Sequence, residues 1–101
     1  MAEYSIYATE LYLSIYEALD GSEKIWLDKM KKQLGENPSG KILRFSWFRE
    51  KKYLNKRLYY LIDEDLKKIL FVAFGSKKEQ EKTIRYVLEH MEELLDYLRG
   101  V

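Results

Sequence analysis

The chain has 101 residues, of which 47% are hydrophobic and 35% charged, and its formal net charge is +1. That size suits one small domain spanning 1–101 with a single core, and the composition excludes a disordered tail. No cysteine is present, so disulfides play no part and an intracellular, cytoplasmic setting is expected.

The first segment, EYSIYAT (3–9), alternates in part and predicts a short strand. In ELYLSIYEALD the apolar residues Leu11, Ile15 and Leu19 recur every fourth position, which is a helical stripe ended by Asp20-Gly21-Ser22. Ser22 is then placed to cap a second helix, in which Trp26, Leu27, Met30 and Leu34 share one face. So short a turn makes the two helices antiparallel. Gly35 is expected to close the hairpin as a left-handed cap, followed by the chain's only proline in ENPSGK.

From Lys41 the pattern is β. KILRFSWF, RLYYLI and KKILFVAF are rich in β-branched and aromatic residues, with turns at Asn55 and at the acidic DED of 63–65. Short connections imply an antiparallel meander. The last of these runs contains ILFVAF (69–74), the longest apolar stretch and far below the ~18 residues needed to span a bilayer, so no membrane partner is expected. Nor does MAEYSIYATE, with an acid at its third position, resemble a signal peptide. GSKKEQEKTIRYVLEHMEELLDYLRG opens with a capping box, Ser76 and Glu79, and holds one helical seam from Ile84 to Leu98 before Gly100. The fold class is therefore α+β: a small, mainly antiparallel sheet with an N-terminal helical hairpin, in the order β-α-α-β-β-β-α. Trp26, Met30, Phe71 and Val72 are expected to be buried. The abundance of Lys, Glu, Ile and Tyr leans towards a thermophilic source.

Near-neutrality conceals a local excess. Residues 41–60 hold seven basic side chains and one acidic one, whereas residues 1–40 hold four and seven. FREKKYLNKR (48–57) alone carries Arg49, Lys51, Lys52, Lys56 and Arg57 among aromatics. A basic strip of this kind is the footprint of a surface that touches phosphates or an acidic partner. Alternation puts Arg49 and Lys51 on one side of their strand, and Arg57 and Tyr59 on one side of the next. Arginine forks grip phosphate and tyrosines stack on bases, which makes an RNA-binding surface the sharper reading. The blander one is a charged strand that discourages edge-to-edge aggregation. His90 stands alone, so a metal site is not expected and a hydrogen-bonded surface role is. No Gly-rich phosphate loop or nucleophile elbow is present.

The ordered set of helical hairpin, ENPSGK, basic strand, KRLYYLIDED and ILFVAFGSKK resembles the RelE/ParE toxin superfamily over most of the chain. The resemblance implies a small toxin that enters the ribosome, cuts mRNA and is neutralised by a cognate antitoxin. It implies a reaction without metal or other cofactor, in which the ribose 2′-hydroxyl attacks the adjacent phosphate while the protein aligns the RNA and stabilises charge. By position, Arg57 matches the strand arginine at the scissile phosphate. Arg49 and Lys51 match the basic pair of the preceding strand, and Lys77 with Lys78 the pair after the glycine. The expected catalytic set is Arg57, Lys51 and Tyr86, with Arg49, Lys52, Lys56, Lys77 and Lys78 binding RNA. Lys51 could act as a base if neighbouring cations depressed its pKa. Tyr86 is the aromatic nearest the position where active members carry Tyr or His, although Thr83 stands closer to it. Three alternatives remain: an inactive relative that only pairs with an antitoxin, a ParE-like topoisomerase inhibitor, and an unrelated protein that dimerises through its sheet.

Overall fold

The computed structural model describes residues 3–101. Strand β1 (Ser5–Ala8) leads into helices α1 (Glu10–Glu17) and α2 (Gly21–Glu36). Strands β2 (Lys41–Ile42), β3 (Phe48–Tyr53), β4 (Lys56–Asp63) and β5 (Lys68–Ser76) follow. A 3₁₀ turn (Lys77–Glu79) then precedes α3 (Gln80–Glu89) and α4 (Met91–Gly100). The sheet order is β1-β5-β4-β3-β2, antiparallel except that β1 runs parallel to β5. The helical hairpin makes this possible, because it carries the chain from one edge of the sheet to the other.

Each face of the sheet buries its own core. On one side Tyr12, Leu27, Met30 and Leu34 pack on Leu58, Tyr60 and Phe71. On the other, Ile84, Val87, Leu94 and Leu98 pack on Phe48, Tyr59, Leu61 and Leu70. Strands β4 and β5 are buried on both faces, which is why their sequences are apolar almost without alternation. One irregularity interrupts their ladder: Tyr59 pairs with Ala73 and Tyr60 with Phe71, so Val72 bulges without an opposite residue. Thr9 exploits the bulge. Its hydroxyl donates to the Val72 carbonyl at 3.0 Å and accepts from the Tyr12 N–H at 3.0 Å, capping α1 and fastening it to β5.

Several expectations are corrected. KILRFSWF is not one strand: β2 stops at Ile42, and the chain turns, with Phe48 N–H donating to the Phe45 carbonyl at 3.0 Å. Phe45 and Trp47 form a stack at 4.9 Å and 3° between planes rather than strand continuity, while Phe48 is buried and begins β3. The sheet gains a fifth strand, and the basic segment FREKKY itself becomes β3. Asp20, not Ser22, caps α2, because its carboxylate accepts from the Glu23 N–H at 2.9 Å and from the Ser22 hydroxyl. Gly35 has no left-handed φ and lies within the helix. Ser76 makes no side-chain cap. The final seam breaks at His90, whose ring competes with its own N–H for the Tyr86 carbonyl, at 3.0 and 3.1 Å. Tyr12 rather than Leu11 is the buried residue of α1. Met30, Phe71 and Val72 are buried as expected, while Trp26 is half-buried against Tyr53 at 4.7 Å.

Gly40 marks the closest approach of the hairpin's exit to the sheet. A methyl group there would overlap the Tyr60 hydroxyl and stand 3.0 Å from the Glu50 carbonyl. Tyr60 cannot yield, since its ring is fully buried and its hydroxyl donates to the Ser39 carbonyl at 2.7 Å. Gly40→Ala should therefore destabilise the fold by about 1–3 kcal/mol, the usual cost of overpacking, seen as a lower urea midpoint with unchanged slope. An unchanged midpoint would show that the exit loop moves aside freely.

Candidate nucleic-acid interface

The β3–β4 register decides which cations can act together. Lys52 is opposite Arg57, and Glu50 opposite Tyr59. Because these residues alternate with Arg49 and Lys51, they face α3 and α4 while Arg49 and Lys51 face the helical hairpin. Lys41, opposite Glu50 on β2, extends the α3 face to the sheet edge. The five cations of FREKKYLNKR thus do not form one cluster, and Lys51 lies across the sheet from Arg57.

Arg49 and Lys51 have structural partners instead. The Arg49 guanidinium donates to the Pro38 carbonyl at 3.1 Å and to the Ser46 carbonyl at 3.0 Å, and Lys51 Nζ donates to Ser39 Oγ at 2.9 Å. Both hold the segment after α2 against the sheet. Lys56 pairs with Glu23 of α2 and lies 5.6 Å over the Phe74 ring. Lys52 is exposed, as are Lys77 and Lys78. The turn that carries the latter two is tied to the hairpin tip, where Lys77 N–H donates to the Asn55 carbonyl at 3.0 Å.

Arg57 is only 7% exposed, and so is Glu50. Arg57 Nε stands 3.7 Å from Glu50 Oε2, and Nη1 donates to the Lys56 and Leu54 carbonyls at 2.9 and 3.3 Å. The other Glu50 oxygen accepts from the Gln80 carboxamide in the first turn of α3. Leu54, at the tip, adopts φ 53°, which is costly for a residue with a Cβ. Beneath this network the Tyr59 hydroxyl is buried without a hydrogen-bond partner. Its pKa is pushed up to about 12, first by burial and then by the Glu50 charge, with Arg57 acting in the opposite direction. Tyr60, across the sheet, is likewise pushed up to about 12 by burial, opposed by Arg49.

Arg57 is opposite Gly75 of β5, and Tyr86 lies on α3. It lines a groove between α1 and α3 with Leu11, Ile15, Gly75 and Thr83, and stacks on His90 at 4.4 Å. Six residues separate it from Gln80, a rotation that places the two on different sides of the helix. The structure adds Lys41, Glu50 and Gln80 to the residues singled out from sequence. Alternation from a strand drawn at 48–53 would have found Glu50; Lys41 needs the β2–β3 register as well, and nothing in the sequence marks Gln80. Among the described residues no group of three or more His, Asp or Glu side chains could hold a metal ion.

No protein-family model and no curated protein sequence matches the chain. Solved structures do match. A variant of the E. coli toxin RelE in the free state gives a TM-score of 0.68 at 18% identity, over 78% of this chain and 88% of that one. The E. coli RelE variant bound to an antitoxin RelB peptide gives 0.67 at 20% identity, over 86% and 96%. The toxin–antitoxin complex RelBE2 from Mycobacterium tuberculosis gives 0.65 at 18%, over 74% and 99%. The chain has the RelE-like toxin fold.

Two outcomes follow from the buried groups. Arg57→Ala leaves the Glu50 carboxylate buried without its counter-charge and should cost about 3–5 kcal/mol. Adding Glu50→Gln should recover most of that loss in urea unfolding, whereas strictly additive losses would show that the two groups do not interact. The raised phenol pKa values of Tyr59 and Tyr60 stabilise the fold fully below their unfolded value near 10. That contribution is lost as pH rises towards the folded value of about 12. Alkaline titration should therefore show tyrosinate absorbance rising together with loss of tertiary circular dichroism between about pH 10 and 12. Complete tyrosine ionisation with the fold intact would contradict the assignment.

Proposed function

We propose that this chain is the toxin component of a toxin–antitoxin pair, which binds RNA on the α3 face of its sheet and blocks translation by cutting mRNA on the ribosome. The observation that carries the proposal is the juxtaposition of Lys41, Lys52 and Arg57 on one face, with Lys77 and Lys78 beside the same hairpin tip. Similarity to RelE in complex with antitoxin supports a cognate antitoxin as partner.

In the proposed reaction the nucleophile belongs to the RNA. The 2′-oxygen forms a bond to the adjacent phosphorus, the bond to the 5′-oxygen breaks, and a 2′,3′-cyclic phosphate and a 5′-hydroxyl result. The proton leaves the 2′-hydroxyl and one is delivered to the 5′-oxygen. The protein contributes alignment of the attacking and leaving oxygens and stabilisation of the added negative charge. Arginine suits the second task because it stays protonated and presents a planar fork. Lys41, Lys52, Lys77 and Lys78 act as point charges that hold flanking phosphates. Proton transfer by Tyr86 would require RNA to reach the groove between α1 and α3.

The closed pair of Arg57 and Glu50 favours a second reading, a RelE-fold protein that binds its antitoxin and has weak activity or none. One assay separates them. Purified wild type on programmed ribosomes should cut mRNA, and the Lys52→Ala/Lys77→Ala variant should bind RNA more weakly, with the salt slope shallower by about 0.7 per lost phosphate contact. The Glu50→Gln/Arg57→Gln variant, which removes both charges, should lose about 10²–10³ in cleavage rate by analogy with a lost oxyanion donor. A wild type that binds antitoxin but neither cuts mRNA nor slows translation would leave only the binding role.

A further inference from the structure

We propose that Glu50 is the internal occupant of a phosphodiester-binding site on Arg57, and that RNA enters the site by displacing it. The inference rests on the RNA-binding reading above and assigns Glu50 a role within it. Four observations converge. Glu50 is the only acid among the eight charged residues of 41–60, and the β3 register aims it at Arg57 rather than at the hairpin face. Glu50 Oε2 stands 3.7 Å from Arg57 Nε, on the one arginine of the strip that faces α3 from the meander's centre. Both side chains are nearly buried, at 9% and 8% exposed, so the pair is closed to solvent in this state. Gln80 holds the remaining carboxylate oxygen from the first turn of α3, directly after the turn that bears Lys77 and Lys78.

A carboxylate and a phosphodiester present the same chemistry to a guanidinium: a delocalised negative charge with acceptor oxygens. With Glu50 in place, the strip offers Lys41, Lys52, Lys77 and Lys78 to RNA, but its arginine is neutralised. A phosphate that takes Arg57 gains a fork and leaves Glu50 without its counter-charge, so binding includes the cost of breaking a buried pair. Glu50 is thus a specificity-determining residue. It discourages casual phosphate contacts and admits a strand held in place by the surrounding lysines at the same time.

The test uses a single-stranded RNA oligonucleotide with 2′-O-methyl riboses, which cannot be cut, and measures its dissociation constant across a salt series. Glu50→Gln keeps the shape and can still accept from Gln80 while removing the charge. It should bind roughly tenfold more tightly than wild type, with a salt slope steeper by about 0.7, the increment for one additional phosphate neutralised on a single strand. Glu81→Gln is the control: it changes the net charge equally, but its partner is Arg44 at 3.4 Å, with both side chains largely exposed. The effect of Glu81→Gln should be well below that of Glu50→Gln. All variants are compared at matched folded fraction, so a purely structural role for Glu50 would give equal or weaker binding. Equal or weaker binding by Glu50→Gln, or equal gains from both variants, overturns the proposal while leaving RNA binding by wild type intact. If neither wild type nor Glu50→Gln binds, and Lys52→Ala/Lys77→Ala changes nothing, the RNA-binding reading falls with it. Binding gained only in Glu50→Gln supports the proposal in its strongest form.

Discussion

Strand alternation in the β3–β4 hairpin is the constraint on which the candidate site depends. A shift of one residue in register would bring Arg49 and Lys51 under α3 and send Glu50 and Lys52 to the other face. The register cannot slip, because Phe48 on the α3 face and Leu58, Tyr60 and Ile62 on the hairpin face fill two separate cores. Two hydrophobic layers therefore select which charges meet. The make-up of the candidate face is a by-product of packing on both sides of one sheet.

The same constraint divides labour among the cations. Those facing the hairpin hold protein: Arg49 and Lys51 staple the Pro38–Ser39 segment, and Lys56 joins β4 to α2. Those facing α3 are exposed, except for the arginine that has an acid beside it. A buried ion pair is weak evidence for stability, since desolvation offsets much of the attraction. Here it sets the one acid of the β3–β4 strip against its most buried cation.

Much of the architecture was legible from period alone. The change from a fourfold stripe at Leu11, Ile15 and Leu19 to β-rich runs after Lys41 located the hairpin and the meander, and ILFVAF stood out as the longest apolar run within it. The failures share a cause: local signals that tertiary contacts override. Phe45 and Trp47 of KILRFSWF look like strand residues but form a stacked turn, Ser22 looks like a cap but serves one, and the seam from Ile84 to Leu98 conceals the break at His90. The site was legible as a set of charges and illegible as an arrangement, because misplacing β3 by a few residues hid which face each lysine takes. Gln80 could not have been found, since its role exists only once α3 lies over Glu50.

The parallel pairing of β1 with β5 has a kinetic side. Thr9 and Val72 meet across 63 positions of chain, whereas β3, β4 and β5 are joined by turns of a few residues. Loop-closure entropy makes the distant pairing the expensive one, and topologies dominated by such contacts fold slowly. The meander can form first, exposing the β5 edge and the Val72 carbonyl until the N-terminal strand arrives. Until that pairing closes, the β5 edge is a vacant lateral position, open to any extended segment that reaches it before β1 does.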